Sequence, residues 1–315
     1  MSKRWMLLAL LCTSTSGLVG CIDSIDTSPD GRGTTSLLGA PLVPMEMSAE
    51  VEQARLDELA AARTAFAANP TDEMAIIWLG RRTAYLGRYL EAISIFSEGL
   101  RHHPNSAKLL RHRGHRWITV RAFAKAEADL HRAARLAGPH PDAIEPDGQP
   151  NALGIPRSTT KSNIWYHLGL ARYLQADFAG ALEAYEACVD VSQNDDMRCA
   201  SLYWQYLTLR RLGRDDRAQR TLEGVHADLD VIENHTYLNL LLLFKDERTI
   251  EELAPESGDA EAAAIDDATL AYGVAMWHWF EGDRDEARHR FRAIVDGGAW
   301  PAFGAIAAEA ELARG

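Results

Sequence analysis

From residue 80 to residue 294, side chains of matching size return at nearly fixed intervals, and this limits the chain to a stack of similar units. Gly80, Tyr89, Ala92, Phe96 and Gly99 are answered 34 residues later by Gly114, Phe123, Ala126, Leu130 and Ala133. A step of 55, one period plus an insertion of 21, gives Gly169, Phe178, Ala181, Tyr185 and Cys188. A step of 37 gives Ala218, Leu222 and Val225, and a step of 69 gives Ala287, Phe291 and Ile294. Small residues in one column let two antiparallel helices approach closely, and large residues in another fill the groove between them. Gly87, Gly213 and Gly282, each five residues before the alanine column, mark the turns between helices.

These columns resemble the tetratricopeptide repeat over most of residues 73–315. The resemblance implies an all-α, right-handed α-α superhelix of about five to six helical hairpins. The gap of 69 is read as one degenerate hairpin, with helices over Asn234–Phe244 and Thr249–Leu253, and a capping helix is expected near Ala305–Ala313. In that family the first helix of each hairpin lines a concave, peptide-binding groove. Carried over by position, the groove residues are Arg81, Tyr85, Arg111, His115, Asn163, Tyr166, Tyr173, Tyr203, Arg210, Arg211, Tyr272 and Trp279. Arg, Tyr and Trp are the types enriched at interface hot spots, and the basic members favour an acidic peptide. Ile77 and Arg81 stand where carboxylate-clamping relatives use Lys and Asn, so that clamp is not expected.

Residues 138–161 interrupt the array with Pro139, Pro141, Pro146, Pro150 and Pro156, which forbid a long helix. A loop of this length is functional or disordered. The apolar residues in Asn151–Pro156 favour an ordered loop across the concave face, which could fill the groove in cis.

The N-terminus has a different character. Lys3 and Arg4 precede an apolar stretch, Trp5–Leu11, that is too short to span a bilayer but suits a signal peptide. Leu18-Val19-Gly20-Cys21 resembles the lipobox of bacterial lipoproteins, which implies acylation at Cys21 and a tether to a membrane. The divisions are a signal peptide over 1–20, a flexible tether over 21–47 and a solenoid over 48–315, with Ser48 as the first N-cap. Ile22, rather than an aspartate, follows the cysteine, which by analogy favours the outer membrane and a periplasm-facing protein.

The net charge is −12 without a basic run, which sets nucleic-acid binding aside. No nucleophile elbow, phosphate loop, His-Glu-x-x-His helix or Cys-x-x-Cys is present, so no enzyme activity, cofactor or metal site is expected. A metal held by His112 and His115, spaced i, i+3, is the alternative. Cys188 and Cys199 are a candidate disulfide in an oxidising compartment. The sequence therefore reads as a membrane-tethered scaffold or adaptor of the bacterial envelope. Its partners would be cell-wall enzymes or envelope machinery, and homodimerisation through terminal hairpins is open. An assembly lipoprotein for outer-membrane or secretion machinery is the other binding role.

Overall fold

The computed structural model describes residues 34–148, 151, 153–253 and 260–315. After a leading helix, α1 (Ala49–Ala68), come the hairpins α2 (Glu73–Tyr85) with α3 (Tyr89–His102) and α4 (Ala107–Thr119) with α5 (Phe123–Ala137). The insertion follows, then α6 (Thr160–Leu174) with α7 (Phe178–Val191) and α8 (Asp195–Arg211) with α9 (Asp215–Thr221). α10 (His235–Phe244) precedes the last hairpin, α11 (Ala260–Glu281) with α12 (Arg284–Asp296), and α13 (Phe303–Arg314) ends the chain. Ser48 caps α1 as expected, its hydroxyl accepting from the Val51 amide at 3.2 Å.

The glycine column has a direct steric cause. A methyl group added at Gly80 would lie 2.3 Å from the Phe96 ring, at Gly114 2.6 Å from Leu130, and at Gly169 2.7 Å from Tyr185. Each is the same contact, the large residue of a second helix seated on a bare backbone of the first. Fully burying each such side chain contributes roughly 1.5–3 kcal/mol. The turns repeat as well. Gly87, Arg121, Ala176, Gly213, Asp246 and Gly282 all have positive φ, from 60° to 91°, one in each of six hairpin turns.

Three expectations change. The degenerate hairpin has its first helix, α10, but its second is only the 3₁₀ turn Ile250–Glu252. There Thr249 and Glu252 cap each other reciprocally and close the segment after a single turn. The C-terminal helix, α13, is present as expected and packs on α11 and α12. It also reaches across the concave side, where the Arg121 guanidinium meets Glu309 at 2.7 Å, Arg211 meets Glu311 at 2.6 Å, and Arg314 donates to the Tyr173 and Leu174 carbonyls at 3.0 and 2.8 Å. Residues 34–47, assigned to the flexible tether, lie against that helix. Thr35 pairs with Pro41, Leu42 is buried, the Leu37 amide donates to the Glu309 carboxylate, and the Trp300 indole donates to the Val43 carbonyl at 2.5 Å. Finally, Cys188 and Cys199 are not bridged. The Cys188 thiol points instead at the Ser162 carbonyl, 3.3 Å away, and accepts from the Ser201 hydroxyl at 3.0 Å. Burial pushes both thiols up to about 12.

Among the described residues no helix is long and apolar enough to cross a membrane. Cys21 and the signal segment lie outside the described residues.

Candidate functional site

The first helices of the hairpins line the concave face, and most of it is filled. Toward the C-terminal end, Tyr173, Tyr203 and Tyr272 are fully buried, and Tyr166 nearly so. The hydroxyls of Tyr173 and Tyr272 bond each other at 3.0 Å, Tyr166 bonds Tyr237 at 2.8 Å, and the Trp204 indole donates to Tyr166 at 2.9 Å. These expected groove residues are therefore core, packed between successive hairpins, and Tyr166 also meets Phe303 of α13. Arg211 is engaged by Glu311 and lies over the Phe178 and Trp279 rings, while Trp279 also carries Arg284 at 3.8 Å. Arg210 pairs with Asp215 at 3.0 Å and donates to the Tyr206 hydroxyl. Asn163 donates to the Ser158 hydroxyl at 2.9 Å and so holds the end of the insertion.

At the other end a cavity of about 380 Å³ stays open. Its floor is α2 and α4, one wall is the insertion from Glu145 to Gly148, and another is the start of α13 at Pro301–Phe303. Arg81, Tyr85, Arg111 and His115 all line it, so four of the twelve expected groove residues meet here. Helical spacing explains the convergence. Arg111, His112, His115 and Arg116 fall at i, i+1, i+4 and i+5 of α4, which places them on adjoining stripes of one surface. Arg81 and Tyr85 are i, i+4 on α2, with the Arg81 Nε 3.3 Å from the Tyr85 hydroxyl.

The insertion reaches into this cavity through an acidic tip. The Glu145 carboxylate lies 3.0 Å from Arg111 and 3.6 Å from the His112 ring. Arg81 donates to the Pro146 carbonyl at 2.6 Å, and Arg82 to the Gly148 carbonyl at 2.9 Å. Gly148 packs tightly on the site, since an added methyl would lie 1.8 Å from the Tyr85 hydroxyl and force the Tyr85 and Arg81 side chains to shift. The far end of the loop is fixed by Arg157, whose Nε meets the buried Asp196 carboxylate at 2.6 Å. The other Asp196 oxygen accepts the amides of Ile232, Glu233 and Asn234 at 2.8–3.0 Å.

Charge at this end is predominantly positive. Burial, reinforced by the neighbouring guanidinium, holds His112 beside Arg111 and His115 beside Arg116 well below the ordinary histidine value of about 6.5. Burial does the same to His167, whose ring lies 4.4 Å from that of His115. All three are neutral at pH 7. Burial lowers Arg116 to about 10, so it stays charged at pH 7, and lowers Arg111 against the opposing pull of Glu145. Burial raises the Asp147 carboxyl. Such a field favours anions over cations, which weighs against the metal alternative for His112 and His115. Among the described residues no group of three or more His, Cys, Asp or Glu converges.

Position-by-position reading missed His112 as a groove residue, along with Arg116, Glu145 and Asp147. Part of the signal was present in the run Arg111-His-Arg-Gly-His-Arg116, where five of six residues carry basic side chains. The acidic tip could not be paired with them without the path of the loop.

A scan of protein-family models finds no match, and a search of curated proteins finds none. Among solved structures, similarity extends to YrrB, a TPR protein with an unusual peptide-binding site, at 14% identity over 75% of this chain and 92% of that one, TM-score 0.41. A tetratricopeptide repeat protein from Parabacteroides merdae aligns at 12% identity over 78% of this chain and 91% of that one, TM-score 0.44. MamA aligns at 16% identity over 66% of this chain and 99% of that one, TM-score 0.40. The repeat itself is carried within this chain by the recurring contact of Gly80 with Phe96, Gly114 with Leu130 and Gly169 with Tyr185. The stack of helical hairpins differs from an open groove in being largely filled by its own C-terminal helix and loop.

Proposed function

We propose that the protein is a lipid-tethered, non-enzymatic adaptor of the bacterial envelope whose concave cavity holds an acidic, extended segment of a partner protein. One observation carries this reading, namely how the insertion itself is held. Arg111 takes a carboxylate, and Arg81 and Arg82 take the carbonyls of Pro146 and Gly148. The mode is sequence-tolerant at the backbone and selective for an acid at one position, as suits a protein that reads a short peptide motif. A partner would replace Glu145–Gly148 with a segment of the same chemistry. The lipobox-like Leu18–Cys21 supports the tether.

The test is fluorescence polarisation with a labelled peptide spanning residues 143–148. Gly148→Val should expel the loop, so this variant is expected to bind the peptide at least about tenfold more tightly than the native chain. Adding Arg111→Glu should abolish that binding. Equal, weak binding by native and Gly148→Val protein would remove the cavity as the peptide site. For the tether, Cys21→Ser is expected to move the protein from the membrane to the soluble fraction; unchanged fractionation would refute acylation there.

A further inference from the structure

The insertion does not satisfy the cavity it enters. About 380 Å³ stays empty with Glu145–Gly148 in place, a volume within the range of small-molecule sites, roughly 300–1,000 Å³. Three polar groups border this space, two of them without a partner. Arg111 is buried, and its Nε has no acceptor. Arg116 lies against the His115 ring at 2.7 Å and has no carboxylate of the described residues within 4.0 Å. One oxygen of Asp147 is buried without a donor. A buried polar group without a partner carries its desolvation penalty, so a ligand that satisfied Arg111 and Asp147 would gain affinity. The wall opposite the loop adds a fourth feature. α13 begins there at Phe303, and no side chain caps it, so its first amides and the positive end of its dipole adjoin the space. Ala84, Phe96, Ile265 and Phe303 supply apolar walls.

We propose that the space beneath the docked insertion binds a small organic oxyanion, carboxylate or phosphate, that also carries a hydroxyl or ammonium group. The acid group would bridge Arg111 and Arg116, whose guanidiniums match an oxyanion's geometry. The donor would meet Asp147. Because the insertion forms one wall, such a ligand favours the loop-docked state and opposes any partner that displaces the loop, and the linkage is reciprocal. Only this last consequence rests on the adaptor reading.

The experiment is calorimetric titration and thermal shift on the native full-length protein with four probes: L-glutamate, glycerol 3-phosphate, succinate and inorganic phosphate. Either of the first two, which carry both an acid and a donor, is expected to bind saturably with Kd below about 1 mM. The second two, which lack a hydroxyl or ammonium group set apart from the acid, should bind about tenfold more weakly. Comparing the first two separates a carboxylate from a phosphate ligand. Arg116→Gln should abolish the response, and Asp147→Asn should erase the preference for a donor. Should Arg116→Gln fail to fold, Arg116→Lys keeps the charge without the planar fork and should weaken binding about tenfold. The proposal falls if no probe gives a saturable response up to about 10 mM, or if the response is unchanged in the Arg116 variants. Either result leaves the peptide assay on Gly148→Val untouched, and a failed peptide assay leaves this one untouched.

Discussion

The two ends of the concave face are both built from the first helices of the hairpins, yet they have opposite characters. On α6, α8 and α11 that face carries Tyr173, Tyr203 and Tyr272, all completely buried, Tyr203 beneath Tyr237 and Phe244 of α10. On α2 and α4 it carries Arg81, Tyr85, Arg111 and His115, which border an open cavity. The difference teaches that position in a helical hairpin gives a side chain an address on the concave face. What lies over that address decides its role. An aromatic covered by a helix becomes core, whereas an arginine covered by a loop keeps unsatisfied donors.

Three experiments test how separate the two ends are. The largest effect is expected from Glu309→Ala. Glu309 and Arg121 are both almost wholly buried, and removing one member of such a pair costs about 3–5 kcal/mol because a lone charge is left behind. Arg121 also sits at φ 63°, a conformation a non-glycine residue holds only when its surroundings fix it. Chemical denaturation should show this loss, together with release of residues 34–47 to proteolysis. The matching change at the open end, Glu145→Gln, should cost far less, since the loop can leave with its tip. Equal losses would mean that the loop is as integral as α13.

An intermediate effect is expected from Gly169→Ala, where the new methyl meets Tyr185, itself packed against Trp204 and Tyr166. Overpacking there should cost about 1–3 kcal/mol by urea unfolding. Gly114→Ala meets Leu130, an aliphatic chain that can change rotamer, and should cost less. The reverse order would place the rigid part of the stack at the cavity end.

Smallest is a pH effect confined to the cavity end. His112 and His167 are held well below their unfolded value of about 6.5 by burial and by the Arg111 cation, with Glu145 the acid that faces His112. Above that value both states are neutral and nothing changes. As pH falls through about 6.5 the unfolded chain takes up protons that the folded chain refuses, so stability declines until the folded values are reached. Between pH 7 and 6 the loss is about 0.7 kcal/mol per histidine, and His167→Gln should remove its share. The buried tyrosines of the other end, all pushed upward, do not titrate in this window. A slope unchanged by the histidine variants would assign acid sensitivity elsewhere.

Much of the fold was legible because it is local. The glycine, aromatic and alanine columns specify contacts 16 residues apart, Gly80 to Phe96 or Gly169 to Tyr185, and each is settled within one hairpin. The site was legible only in part. Arg81, Tyr85, Arg111 and His115 follow from their place on first helices, and their company does not. Glu145 meets Arg111 from 34 residues away, across an insertion with no repeat register to follow.

By itself the sequence determined the helices, the period, the turns and a basic stripe on α4, because each depends on residues within one helix or hairpin. Only the tertiary structure decided that α13 would reach into the concave face, that residues 34–47 would pack against it, and that the expected groove tyrosines would be core. Those contacts join segments up to 272 residues apart, Leu37 to Glu309, and no periodicity encodes them. Burial of apolar surface is non-directional, so the pattern states that a face must be covered without saying which segment covers it.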